Sequence, residues 1–186
     1  MSQSVHSGAD DIFLKGKVEK SIKVFVFDGF KLGSVNREAE FIKENVPVTE
    51  GNWFVLFFVK DGYIPGVRVL RAGKEDMEIG KVELEKRMDD KDKGFLTGVV
   101  YKPVHGGKVL YSRGIFKLID GIDIKVISDR GESYLTRSKG GGIFSISLIP
   151  GKYRIFIGDS EEWINVLIER GKTTIQNLQK GLMLID

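Results

Sequence analysis

The chain has 186 residues, 41% hydrophobic and 30% charged, with a net charge of +3 from 29 basic and 26 acidic side chains. That is enough apolar material for a buried core, and a charge too evenly mixed for a nucleic-acid footprint or an attraction to anionic membrane. There is no cysteine, which excludes disulfides, thiolate zinc sites and a cysteine nucleophile.

In chain order, residues 1–11, "MSQSVHSGADD", are polar and lack an apolar h-region, so they read as a flexible N-terminal tail with no signal peptide. "IKVFVFD", residues 22–28, follows as a strand. Within "GFKLGSVNREAEFIKEN" (29–45), the piece "REAEFIKEN" is short enough to be either a helical turn or an edge strand. The longest apolar run is "WFVLFFV" at 53–59. It is far shorter than the roughly 20 residues needed to cross a bilayer, and it has the length and the β-branched and aromatic content of a buried strand. "KRMDDKDKG", residues 86–94, is charged and poor in apolar residues apart from Met88, and it reads as a linker.

Beyond it, Ile122, Ile124 and Val126 mark a strand, and Gly140, Gly141 and Gly142 make a turn. No Lys-Ser or Lys-Thr follows these glycines and no helix opens there, which rules out a phosphate loop. Phe144, Ile146 and Leu148 alternate with Ser145 and Ser147 with the period of a strand. Pro150-Gly151 stops that strand: Pro fixes φ and Gly permits a positive one, so a tight turn is expected. Tyr153, Ile155 and Ile157 then alternate with Lys152 and Arg154, while Phe156 breaks the pattern.

The pattern repeats. "VPVTEGNWFVLFFVKDGYIP" (46–65) has Trp53 where the later copy has Tyr153, Ile22–Asp28 resembles Ile122–Asp129, and Gly16-Lys-Val18 resembles Gly98-Val-Val100. "VRVLRAGKEDMEIGKVEL" (67–84) resembles "INVLIERGKTTIQNLQKG" (164–181). The separation drifts from roughly 80 to 100 residues, as loops of unequal length would cause.

With these features, residues 95–184 resemble a carboxypeptidase regulatory-like domain of the prealbumin-like (transthyretin-like) group, which also includes the Cna B-type repeats. The matching residues are Gly98-x-Val100, "GIDIKV" at 121–126, the Thr136 to Phe144 turn into a strand, Pro150-Gly151-x-Tyr153 and the Gly171-Lys172 hairpin. Residues 12–86 resemble a diverged second copy, matched at "EGNWFVLFFVKDGY". The resemblance implies an all-β chain of two tandem antiparallel β-sandwiches, prealbumin-like or immunoglobulin-like, of about seven strands each. The expected boundaries are a tail to residue 11, a diverged domain over 12–86, a linker over 87–94 and a regulatory-like domain over 95–186. The family setting favours an extracellular, periplasmic or cell-surface location. The insertion from Pro103 to Asp120 departs from the family pattern. Its "KVLYSRGIFKLI" holds Tyr111 and Phe116 in a segment the family core does not need, so it is expected either to cover an edge or to contact a second chain.

No catalytic constellation stands out. His6 and His105 have no metal-binding spacing, and the pairs Asp10-Asp11, Asp89-Asp90 and Glu161-Glu162 sit in a tail, a linker and a loop. A transthyretin-like hydrolase would need a histidine–arginine cluster and a characteristic C-terminal tetrapeptide, whereas this chain ends "GLMLID". A Cna-type isopeptide would join a lysine to an asparagine, for which Lys102 and Asn177 match by position. The required glutamate position holds Ile157 in one half and Phe57 in the other. Without that acid the lysine has no route to neutrality. The expectation is therefore a non-enzymatic structural or protein-interaction module with no cofactor or metal. Its partner would be a protein, or a second copy joined through an edge strand or the 103–120 insertion. Nucleic acid and a membrane span are not expected. Carbohydrate binding through exposed aromatics is the alternative. Trp163, after the polar "DSEE", is the residue most suited to it, whereas Trp53 is expected in the core at the place of the family tyrosine.

Overall fold

The computed structural model describes residues 12–29, 32–34, 37–38, 41–46, 53–71, 77–88, 92–105 and 115–184. The tail, residues 106–114 of the insertion (Tyr111 among them), and residues 89–91 of the expected linker lie outside them. The first half contributes β1 (Ile12–Val18), β2 (Lys23–Phe27), β3 (Leu32–Ser34), β4 (Arg37–Glu38), β5 (Phe41–Val46), β6 (Trp53–Val59), β7 (Gly66–Arg71) and β8 (Met77–Val82). The second contributes β9 (Gly94–His105), β10 (Phe116–Leu118), β11 (Asp123–Ser128), β12 (Ser133–Arg137), β13 (Ile143–Leu148), β14 (Gly151–Ile157), β15 (Trp163–Ile168), β16 (Thr173–Ile175), β17 (Leu178–Gln179) and β18 (Met183–Leu184). No helix occurs among the described residues, and residues 37–38 and 41–45 lie in the β4–β5 antiparallel pair rather than in a helical turn.

Among the described residues four sheets form, and their strand order recurs. The first half has β4-β5-β1-β8 and β3-β2-β6-β7. The second has β10-β9-β13, joined through β9 by β16, β17 and β18, and β12-β11-β14-β15. In each half the opening strand pairs antiparallel on one side and parallel with the closing strand on the other: β1 with β5 and β8, β9 with β13 and β16. Gly16 and Gly98 occupy the same place in these central strands. A Cβ on Gly16 would lie 2.2 Å from Ile79 Cγ1, and one on Gly98 would lie 2.0 Å from the Gln176 carbonyl oxygen. The close approach of the parallel closing strand therefore demands glycine at both.

Each half closes on an apolar core between its two sheets. One gathers Val18, Val24, Phe54, Leu56, Phe58 and Ile79. The other gathers Leu96, Val100, Ile124, Phe144, Tyr153 and Ile155. Tyr153 Oη donates a 2.7 Å hydrogen bond to the Ile149 carbonyl, tying the strand back across the Pro150-Gly151 corner. The corner itself differs from expectation. Gly151 is absent from the glycines with positive φ, and a Cβ there would meet only Tyr153 Cε2 at 3.7 Å. The preceding turn, by contrast, is left-handed at Gly140, Gly141 and Gly142, with φ of 55°, 94° and 73°. The Asp120 carboxylate accepts from the Gly141 and Gly142 N–H groups at 3.0 and 2.5 Å, holding that turn against β9.

A third apolar cluster joins the halves. The outer face of β2, β6 and β7 offers Phe25, Phe27, Val55, Phe57, Val67 and Val69, and the outer face of the β9 sheet covers it with Val99, Tyr101, Phe116, Leu118, Ile143 and Ile175. Phe27, Tyr101 and Phe116 form a ring trio with centroids 4.9 to 6.0 Å apart. Burial in this seam raises the Tyr101 phenol above its ordinary pKa. β6 is therefore buried on both faces, which is why its sequence is apolar without alternation.

Arg87, within the charged stretch expected to be linker, is itself buried at 5% exposure. Its N–H donates to the Gly62 carbonyl of the first half at 3.1 Å. Its guanidinium donates to the Lys93 carbonyl at 2.6 Å and to Ser147 Oγ at 3.1 Å, and stands 4.4 Å from the Phe95 ring centroid. The Gly62 N–H donates in turn to the Gly171 carbonyl at 2.8 Å. One residue thus bonds to both halves, its backbone N–H to the first and its guanidinium to the start of the second.

Candidate functional site

Strand register decides which aromatics are available. In β6, Phe57 stands opposite Phe25 and Val67, and Val55 opposite Phe27 and Val69. In β14, Phe156 stands opposite Lys125 and Trp163, and Arg154 opposite Ile127 and Asn165. Phe156 and Arg154 are therefore the counterparts of Phe57 and Val55, and core Tyr153 is the counterpart of Phe54. Trp53 falls one residue earlier, on the opposite face, and is 38% exposed rather than a core residue. A one-residue shift in a strand always changes the face.

Phe116, expected as a partner contact, is 2% exposed and packs against Phe27 and Tyr101. Its contact is internal to the chain. β10 pairs antiparallel with β9 at Tyr101–Pro103, so the described end of the insertion covers that edge. The last strands also lie against β9, and Asn177 Oδ1 accepts from the Val99 N–H at 3.1 Å, at the break between β16 and β17. His105 ends β9, whereas His6, Asp10-Asp11 and Asp89-Asp90 lie outside the described residues. Glu161 and Glu162 are exposed. Among the described residues no group of three or more His, Cys, Asp or Glu is placed to hold a metal, and no helix is long and apolar enough to cross a membrane.

The remaining candidate is the outer face of β12-β11-β14-β15. Trp163 is 51% exposed there, with its ring centroid 6.0 Å from that of Phe156 and 5.6 Å from the Arg154 guanidinium. Leu135 and Leu167 are 73% and 56% exposed. Lys125, Lys152 and Arg154 are exposed on the same face, because they alternate with the core residues Ile124, Val126, Tyr153 and Ile155. Beside the aromatic pair lies a groove of about 460 Å³ lined by Ile127, Asp129, Lys152, Arg154, Asn165 and Leu167. At the other end of the sheet Arg137 grips Asp123 with two hydrogen bonds of 2.6 and 2.9 Å, which hold that carboxyl below its ordinary pKa. The face can stack a flat group on Trp163, take an apolar group in the groove, and pair anions with its three cations. Trp163 is exposed as expected from the sequence, whereas Phe156, Leu135 and Leu167 were not singled out there. The break in alternation at Phe156 was the visible signal.

No family model matches the chain, and no curated protein matches it. Among solved structures it is similar to the minor pilin GBS52 of Streptococcus agalactiae, at 11% identity over 95% of this chain and 98% of that one, with a TM-score of 0.39. It is also similar to the shaft pilin SpaA of Lactobacillus rhamnosus GG, at 9% identity over 95% and 98% of the two chains and a TM-score of 0.32. A third is the family 26 carbohydrate-binding module of Eubacterium rectale Amy13K, solved with maltoheptaose, at 9% identity over 95% and 94% and a TM-score of 0.28. At these scores the functional reading rests on this chain's own residues.

Proposed function

We propose that the chain is a non-catalytic structural and protein-interaction module, built of two β-sandwich domains over residues 12–86 and 95–186 and held at a fixed angle by the seam between them. The observation that carries this reading is the double-sided burial of β6: Phe54, Leu56 and Phe58 point into one core, Val55 and Phe57 into the seam. Arg87 adds a polar latch to the same contact. A face so thoroughly apolar suits a permanent contact, unlike the more polar interfaces of domains that move against one another.

The test is to place a protease site at residues 89–91 and cut. Two folded fragments that co-elute in native buffer are expected, and Phe116→Ala, at a cost of about 3–5 kcal/mol typical of a buried Phe, should let them separate. Unfolding of either fragment on cutting overturns the two-domain reading. Fragments that part without the substitution overturn the fixed arrangement. Carbohydrate binding is the second reading, supported by exposed Trp163 with half-buried Phe156 beside it. Titration with maltoheptaose, followed by Trp163 emission, checks it.

A further inference from the structure

The two halves treat the same surface differently. In the first, the outer face of β3-β2-β6-β7 is covered by the β9 sheet; in the second, the outer face of β12-β11-β14-β15 leaves Leu135, Trp163 and Leu167 half or more exposed. The counterpart residues have also changed in kind. Phe25, Val55 and Trp53 of the first half correspond in register to Lys125, Arg154 and Lys152 of the second. An apolar floor has been kept at Ile127, Phe156 and Leu167, and three cations have been set into it.

Building on the reading of the chain as an interaction module, we propose that this face docks an extended acidic segment of a partner protein. An apolar side chain of that segment seats in the groove between Ile127 and Leu167, and its carboxylates meet Lys152, Arg154 and Lys125. Lys152 and Arg154 are two residues apart on one side of β14, roughly 7 Å along the strand, which is also the repeat of alternate side chains in an extended peptide. Carboxylates at alternate positions of the partner therefore meet both cations in step. Asp129 stands at the groove margin, and the Asp123 carboxylate is already engaged by Arg137, so the cations dominate.

The same charges disfavour a second copy. Face to face, three cations would oppose three cations. The outer side of β1 and β8 shows exposed Lys17, Glu78 and Lys81 in place of the apolar residues that β9 brings to the seam. Exposed Leu135 and Leu167 favour a polypeptide over a glycan, because a sugar ring stacks on tryptophan and gains little from isolated aliphatic side chains.

The experiment titrates the full chain with a synthetic peptide of about eight residues, a common strand length, in which serine alternates with leucine, glutamate, glutamate and phenylalanine in turn, so that the acidic and apolar side chains share one face of the extended peptide. Trp163 emission is the readout, and Trp163→Phe, which leaves Trp53 as the sole indole, identifies its source. Saturable binding is expected, weakened about tenfold or more by Lys152→Glu with Arg154→Glu and by raised salt, with an unchanged melting temperature. Three outcomes overturn the proposal: no binding, equal binding of a peptide with lysine in place of glutamate, or indifference to the charge reversals. Tighter binding of an oligogalacturonate than of the peptide also overturns it and assigns the face to an acidic glycan. The cut-chain experiment reads the seam and not this face, so a rigid pair that ignores the peptide sinks the docking surface alone.

Discussion

β6 and β14 hold the same place in their sheets, yet they read differently as sequence. β6, "WFVLFFV", is buried from its second residue to its last, whereas β14, "GKYRIFI", alternates between buried Tyr153 and Ile155 and exposed Lys152 and Arg154. The inward residues are equivalent in both. What differs is the outer face, which meets the β9 sheet in one half and solvent in the other. Alternation thus reports whether a sandwich sheet is covered, and its loss marks the face where a neighbour sits.

The largest test of this contrast exchanges the outward residues. Val55→Arg puts into β6 what β14 carries and strands a charge in the seam. A loss of about 3–5 kcal/mol is expected in denaturant unfolding, with exposure of the seam. Arg154→Val makes the reverse exchange and should change stability by no more than about 0.5 kcal/mol, while promoting self-association through the enlarged apolar patch. Equal effects from the two would abolish the distinction between covered and open faces.

A smaller effect separates two glycines. Gly142 lies against the seam sheet with φ of 73°, and a Cβ there would stand 2.6 Å from the Val100 carbonyl oxygen. Gly142→Ala should cost about 1–3 kcal/mol. Gly151, which opens the uncovered β14, has room and ordinary φ, so Gly151→Ala should be neutral or slightly stabilising. Comparable losses in thermal unfolding would show that the corner at Pro150 needs its glycine after all.

The smallest effect is electrostatic and belongs to the open sheet. The Asp123 carboxyl is held below its ordinary 3.8 by the hydrogen bonds from Arg137. A carboxylate depressed in the folded state adds stability above its unfolded pKa and loses it as pH falls through the folded value. The contribution is therefore present at neutral pH and fades below about pH 4. Because both side chains are exposed, it is slight. Asp123→Asn should flatten the acid limb of a melting-temperature profile a little, and superimposable profiles would remove the pair from the account.

The all-β class, the buried character of "WFVLFFV", the alternation of 144–148 and the paired places of Gly16 and Gly98 were legible because each depends on local period or on a single close contact. The error at Trp53 had a different origin. Matching it to Tyr153 aligned two aromatics by kind, but the pleat places residues by parity, and Phe54 is the true counterpart. Phe116 was taken for a surface contact because its segment is foreign to the family core; only the approach of Phe27 and Tyr101 from distant strands shows that it fills a seam. Arg87 was hidden for a related reason. In a run of charges nothing distinguishes the guanidinium that will be buried against Lys93, Phe95 and Ser147. The Gly151 turn was misread because Pro-Gly suits several corners, and here the Tyr153 hydroxyl does the holding.

The parallel pairing of first and last strands has a mechanical consequence. β1 runs beside β8, and β9 beside β16 to β18, with the chain entering at one end of each pair and leaving at the other. Tension along the polypeptide slides these strands past each other lengthwise, so the hydrogen bonds of the ladder carry the load together instead of opening one at a time from an end. Rupture then requires many bonds to fail in a single event, and the survival of each sandwich under pull is set by its unfolding rate and not by its equilibrium stability.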